Sequence, residues 1–267
     1  MSEIKITGLS FAYKDQPERL ILKDISVEVE HGEFVCLLGQ SGCGKSTFLR
    51  LLAGLEAPTN GVIQMNGEDM KGASLNRSVV FQDYGLFPWM TAGENIMLAL
   101  EQKYPKKSKK ELKGIAVDML GKVGLDGTVF KKLPKALSGG MKQRCAIARS
   151  LSIDPPILLM DEPFGALDAV TRAKLQDLLV DLWNNEDEKK TVFFVTHDVD
   201  EAILLANRIL VFGQSPSNII YDKKVPGDMH ATRESIFDNP DVLKLRNELI
   251  YYINRDVAER TNAGQNN

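Results

Sequence analysis

Apolar and polar residues alternate at the start of the chain. Ile4, Ile6 and Leu9 lead to Phe11 and Tyr13, and Ile25, Val27 and Val29 repeat the two-residue period. Such alternation predicts half-buried strands. After the turn His31-Gly32-Glu33, the run Phe34-Val35-Cys36-Leu37-Leu38 is continuously apolar, as a buried strand would be, and it ends in a glycine-rich loop. Beyond that loop Phe48, Leu51, Leu52 and Leu55 recur at helical spacing, until Gly54 and Ala57-Pro58-Thr59-Asn60-Gly61 stop the helix. From about Gly85 to Pro155 strand patterns give way to helical ones. Two buried-strand patterns follow: Ile157-Leu158-Leu159-Met160 runs into Asp161-Glu162, and Thr191-Val192-Phe193-Phe194-Val195 runs into Thr196-His197. Between them Leu175, Leu178, Leu179 and Leu182 mark an amphipathic helix, and Ile209-Leu210-Val211-Phe212 reads as the last strand of the core. The remainder predicts one helix near Pro240 to Asp256 and a disordered tail from Asn262 to Asn267. Alternating strands and helices predict an α/β core with mostly parallel strands.

Composition narrows this picture. With 267 residues, 43% of them hydrophobic, the chain can bury a sizeable core in one or two domains. The net charge of −3, from 33 basic and 36 acidic residues, gives no general case for nucleic-acid binding, which calls for a basic stripe. Cys36, Cys43 and Cys145 form no CxxC pair and are odd in number, so a disulfide framework is not expected and a reducing compartment is. They read as small buried or loop residues. The opening MSEIKITGLSF lacks an apolar h-region, and no run approaches the ~18 apolar residues of a membrane span. A soluble chain is expected, with any membrane role supplied by a partner. The lysine-rich stretch Lys103 to Lys113 reads as a solvated helix and loop; the sharper alternative is a patch near anionic lipid headgroups.

The candidate chemistry begins at Gly39-Gln40-Ser41-Gly42-Cys43-Gly44-Lys45-Ser46-Thr47, which fits G-x-x-x-x-G-K-[ST] between a strand and a helix. Glycines let the backbone curl so that N–H groups point at phosphate oxygens, and the following helix adds its positive end. Lys45 is expected on the β- and γ-phosphates of ATP and the Ser46 hydroxyl on Mg²⁺. Asp161-Glu162 closes an apolar strand. Alone such a pair reads as a helix N-cap; behind a phosphate loop, one carboxylate suits Mg²⁺ and the next suits polarising water. Leu137-Ser138-Gly139-Gly140-Met141-Lys142-Gln143 opens a helix that ends near Ser152. Ser138 and the glycine amides read either as a second phosphate site or as a plain N-cap with a tight turn. His197 stands at a strand end before Asp198, Asp200 and Glu201, which suit a helix N-terminus.

Taken together these motifs resemble the nucleotide-binding subunit of an ATP-binding cassette (ABC) transporter, over roughly residues 3 to 212. Gly39 to Thr47 resembles Walker A, Gln82 the Q-loop, and Leu137 to Gln143 the LSGGQ signature, with Met141 where that motif has Gln. Ile157 to Glu162 resembles Walker B, Ala166-Leu167-Asp168 the D-loop, His197 the switch histidine, and Tyr13 the aromatic A-loop residue. The segments Leu86-Phe87-Pro88-Trp89-Met90-Thr91 with Glu94-Asn95, and Asp161 to Asp168, are similar to the nitrate, sulfonate and taurine branch of bacterial importers; related branches import riboflavin or thiamine precursors.

The resemblance implies a P-loop NTPase, RecA-like ABC core with an antiparallel β subdomain and an inserted helical subdomain at about 85–155, within an ATP-binding domain at 1–212, and a short C-terminal extension at 213–267. It implies ATP and Mg²⁺, and two such subunits paired head to tail, most simply as a homodimer. Each ATP would lie between Walker A of one chain and Ser138-Gly139-Gly140 of the other. Tyr13 would stack on adenine; Ser46, Gln82 and Asp161 would arrange Mg²⁺; Glu162 would activate water; His197 would contact the γ-phosphate; Asp168 would link the two sites. Permease subunits in the membrane would dock near Tyr84 to Trp89, a segment that otherwise reads as helical-subdomain core. A solute-binding protein would act indirectly, and the chain would sit on the cytoplasmic face of the membrane. The rival classes are a soluble ABC ATPase of DNA repair, chromosome structure or translation, which usually carries two cassettes, coiled-coil arms or long linkers absent here, and a P-loop kinase, which leaves Ser138 and His197 unexplained.

Overall fold

The computed structural model describes residues 3–165, 167–184, 189–226, 232–233 and 235–264. In chain order its elements are strands β1 (Ile4–Ala12), β2 (Leu20–Val29) and β3 (Phe34–Leu38), helix α1 (Lys45–Ala53), strands β4 (Asn60–Met65), β5 (Glu68–Asp69) and β6 (Arg77–Val80), and helices α2 (Ala92–Lys103), α3 (Lys109–Lys122) and α4 (Gly139–Ser152). There follow β7 (Ile157–Asp161), α5 (Ala169–Asn184), β8 (Thr191–Thr196), α6 (Val199–Leu205), β9 (Arg208–Phe212), β10 (Ile219–Lys224), α7 (Ser235–Asp238) and α8 (Pro240–Gly264). They divide into two compact units, Met1–Ala73 with Thr191–Asn267, and Ser74–Lys190.

In the first unit the alternating sequences form an antiparallel sheet in the order β2-β1-β4-β5, with Ile4, Ile6, Ile25, Val27 and Val29 buried on one face. The continuously apolar β9, β3 and β8, with β10 at the edge, are this unit's strands of the other sheet, in the order β10-β9-β3-β8. There β3 is parallel to both neighbours, pairing Leu38 with Thr196 of β8 and with Val211 of β9. Every residue of β3, β8 and β9 is buried, which is why their sequences do not alternate. Helix α1 ends at Gly54, whose left-handed φ of +73° lets its N–H turn back to Arg50 and Leu51. Leu55 therefore lies beyond the helix and is exposed.

Two expectations about the chain's end are corrected. Ile209–Phe212 is not the last strand: β10 follows, antiparallel to β9, on the sheet's edge. Its sequence IIYDKK is only half buried, so it lacks the apolar run that marks the central strands. Helix α8 also runs beyond Asp256 to Gly264, into the expected tail; residues 265–267 lie outside the described residues.

In the second unit β6 and β7 pair in parallel, Val80 opposite Met160. Helix α4 packs against β6, and α2 and α3 pack on α4 and on each other, the helical stretch the sequence predicts. Capping boxes start α2 and α3: Thr91 with Glu94, and Ser108 with Glu111. Exposed residues dominate 105–111, as expected for the solvated lysine-rich segment.

Candidate nucleotide site

The phosphate loop follows from the all-buried strand β3 and the helix α1. Gly42 and Gly44 take φ of +80° and +106°, which L side chains rarely adopt. Gly44 is the N-cap of α1 and has no side chain to satisfy the first-turn N–H groups, so these donors and the positive helix end face over the loop. A Cβ at Gly39 would come 2.7 Å from the Phe212 carbonyl oxygen and 3.1 Å from Cys43 Sγ, so the loop's first turn has no room for one. Lys45 is only 3% exposed. Its ammonium donates to the Gly39 and Gln40 carbonyl oxygens at 2.7 and 2.8 Å, and Cys43 Sγ lies 3.8 Å away. A buried cation held by its own loop supplies fixed positive charge where phosphate would bind. Ser41, Gly42 and Ser46 are exposed on the loop.

Strand register brings further residues to the same sheet end. Leu38 pairs with Thr196, so Gly39 and His197 leave adjacent strands side by side, at the C-terminal edge where open α/β sheets bind ligands. His197 is exposed and leads into α6, which Asp198 caps by accepting from the Asp200 and Glu201 N–H groups at 2.9 and 3.2 Å. Tyr13, just past β1, is tied to the loop's helix: its hydroxyl lies 3.2 Å from Thr47 Oγ1, and its ring meets Phe11 edge-on at 4.9 Å.

The second unit gathers the remaining predicted residues into two groups. The β6–β7 register sets Gln82 beside Asp161 and Glu162, with Gln82 Nε2 3.5 Å from Glu162 Oε2. Glu162 has a left-handed φ of +42°, which bends the chain away from the strand and frees the carboxylate from the strand's alternation. In the other group Ser138 caps α4 by accepting from the Met141 N–H at 3.3 Å, so its plain capping role is present. Asp168 caps α5 likewise, accepting from the Thr171 N–H at 3.0 Å, and this backbone bond holds its carboxyl below the usual range. Thr171 joins the two loops, since a Cβ at Gly140 would come 2.5 Å from Thr171 Cγ2. Ala166 lies outside the described residues.

Motif spacing alone does not reveal two residues here. Arg149 Nη1 donates to the Gly85 carbonyl oxygen at 2.5 Å and thereby anchors the loop after Gln82. Its only sequence signal is a position seven residues after Lys142, on the same face of α4, and Lys142 itself stands over the Tyr84 ring. Asn95 is fully buried and brackets Phe87, accepting from its N–H at 2.8 Å and donating to its carbonyl oxygen at 3.2 Å. The loop it holds displays Trp89 at 72% exposure, so Trp89 is not core.

Residues 22–165, more than half the chain, match the ABC transporter family model. The chain belongs to the ABC transporter family. This ABC protein is 42% identical to the bicarbonate transport ATP-binding protein CmpD of Synechocystis sp. over 87% of its own length and 82% of CmpD. It is 42% identical to the nitrate import ATP-binding protein NrtD of Synechococcus elongatus over 89% of its own length and 86% of NrtD. Its fold matches a solved dimer of the ATP-binding cassette MJ0796 in a post-hydrolysis state bound to ADP and Pi, with a TM-score of 0.74 and 34% identity over 84% of this chain and 99% of that one. The fold is thus the P-loop ABC type, mixed α/β with antiparallel and parallel sheets, and the chain is an ATP-binding, ATP-hydrolysing subunit.

Proposed function

We propose that this ABC ATPase powers import of a small solute of the nitrate, sulfonate, taurine or bicarbonate kind, working as a pair of copies on membrane permease subunits and served by a solute-binding protein. The buried Lys45 in its curled glycine loop carries the ATP reading. Likeness to CmpD and NrtD over most of both chains supports the cargo class. No described helix is long and apolar enough to cross a membrane, in keeping with a peripheral subunit.

The donor chemistry fits Mg²⁺. Ser46, Gln82 and Asp161 are hard oxygen donors, and no group of three or more His, Cys, Asp or Glu among the described residues is placed to hold a metal. Magnesium typically travels with substrate phosphates and takes only one or two protein carboxylates, which is what such a sparse set offers. It would neutralise phosphate charge. In this reading Gly39 to Thr47 bind the phosphates, Tyr13 stacks on adenine, and Glu162 takes the proton of the attacking water. His197 contacts the γ-phosphate, and Gln82 helps arrange Mg²⁺. Ser138, Gly139 and Gly140 complete the site of the second copy, and Asp168 links the two sites.

Reconstitution with a candidate permease and binding protein tests the proposal. In proteoliposomes, ATP hydrolysis should rise several-fold with one of nitrate, bicarbonate or taurine and its binding protein. Hydrolysis that responds to nucleic acid and to no permease would overturn it.

A further inference from the structure

Helix α8 carries its buried residues at Val242, Leu245 and Leu249, and the same three-four spacing continues to Tyr252 and Asp256. A carboxylate therefore stands where the stripe would place an apolar residue. Asp256 Oδ2 accepts from the Gln214 N–H at 2.7 Å. Gly213 permits this approach, since a Cβ there would come 2.9 Å from Asp256 Oδ1. Gln214 Nε2 in turn lies 3.4 Å from Gln40 Oε1, and the Gln40 carbonyl oxygen holds the Lys45 ammonium at 2.8 Å. Because Gly39 rests against the Phe212 carbonyl oxygen, the stretch Phe212-Gly213-Gln214 floors the phosphate loop, and Asp256 pins one end of that floor.

Ten residues earlier, about 15 Å along the helix axis, Arg246 Nε donates to Asp200 Oδ1 at 2.7 Å. The Asp200 N–H donates to Asp198 Oδ1, and the Asp198 N–H to Thr196 Oγ1, so His197 sits inside the turn that Arg246 holds from outside. Between these ties Tyr221 stacks on Tyr252 at 4.2 Å and donates its hydroxyl to Glu248 Oε2 at 2.7 Å, which fixes the helix to β10.

We propose that α8 is a positioning strut for the nucleotide site, with Asp256 setting the phosphate loop and Arg246 setting the turn of His197. The inference rests on the reading that this loop and His197 handle ATP. The two ties reach different parts of the site, so they act on different kinetic constants. With the full chain and Mg-ATP, Asp256→Ala should raise KM for ATP five- to tenfold with kcat within twofold, the scale expected for one lost hydrogen bond. Arg246→Ala should lower kcat five- to tenfold with KM within twofold, and Arg246→Asp combined with Asp200→Arg should restore it. A helix that only stabilises the fold would move both constants together, or neither, in both single variants, and either result overturns the proposal. Should Asp256→Ala fail to fold, Asp256→Asn and Gln214→Ala decide. The first keeps an acceptor and should retain the normal KM; the second removes the link to Gln40 and should raise KM about threefold, and an unchanged KM in Gln214→Ala sinks the strut. Lys45→Ala separates the two levels: if it binds ATP normally, the nucleotide reading fails rather than the strut.

Discussion

At Glu162 the backbone turns through a φ of +42°, a conformation that a residue with a Cβ adopts at a cost of about 1–3 kcal/mol. A strained backbone under the proposed general base separates stability from activity. Glu162→Gln keeps the backbone cost and removes the base, so hydrolysis should fall by roughly 10²–10⁴-fold while ATP still binds. Glu162→Gly should be inactive and yet more stable to urea than Glu162→Ala, by about 1 kcal/mol, because glycine alone relieves the left-handed turn. A Gly variant less stable than the Ala variant would show that the backbone carries no such cost. The three cysteines allow a second test at this scale. All are free and buried. Burial pushes each thiol up, Cys145 to about 12, although the Lys45 ammonium pulls Cys43 partly back. A raised thiol pKa means less thiolate at any given pH, so iodoacetamide at pH 8 should spare all three in the native protein and label all three in urea. Labelling of native Cys43 at the rate of a free thiol would contradict its packing. The sequence displayed these residues but not their states: the motif names Glu162, whereas its dihedral is decided by the turn through Gly165, whose N–H donates to the Glu162 carbonyl oxygen at 3.2 Å.

Among the elements, α2 is the most informative. Its capping box is readable from Thr91 and Glu94, and the loop before it from Pro88. What Asn95 does could not be read, since a helix interior with a polar residue in sequence looks solvated. Here the amide is fully buried, accepts from the Phe87 N–H and donates to the carbonyl oxygens of Phe87, Met90 and Thr91. Asn95→Ala would leave a buried N–H and several carbonyl groups without that partner and should cost about 2–3 kcal/mol in urea unfolding. Trp89→Ala should change stability by less than about 0.5 kcal/mol, as expected for an exposed site, while abolishing solute-coupled hydrolysis in the reconstituted transporter. If Trp89→Ala transports normally, the exposed aromatic pair of Phe87 and Trp89 is not the docking surface. The edge strand β10 escaped the sequence reading for a related reason: an edge needs no continuous apolar run, so Ile219-Ile220-Tyr221-Asp222-Lys223-Lys224 carries too little of one.

For the molecule as a whole, the parallel strands and the order of motifs were legible because all-buried strands ending in glycine or acidic residues have few other uses. The division into Met1–Ala73 with Thr191–Asn267, and Ser74–Lys190, was not, because it depends on which strands pair rather than on any composition shift. The phosphate loop and the Ser138 loop belong to different units, each with its own donors. On the proposed pairing of two copies, Glu162→Gln should sediment as a dimer with ATP and as a monomer without it; a monomer under both conditions would argue against two shared sites. The pairing of β3 also reaches into how the protein is made. Both neighbours of the strand that carries the phosphate loop, β8 and β9, lie beyond residue 190. At about 5–20 residues per second a ribosome needs roughly 8–30 s to travel from Leu38 to Thr191. For that interval an entirely apolar strand has neither edge covered by its final partner. A nascent chain arrested before Thr191 therefore holds an apolar ribbon with unpaired edges that the finished protein never shows.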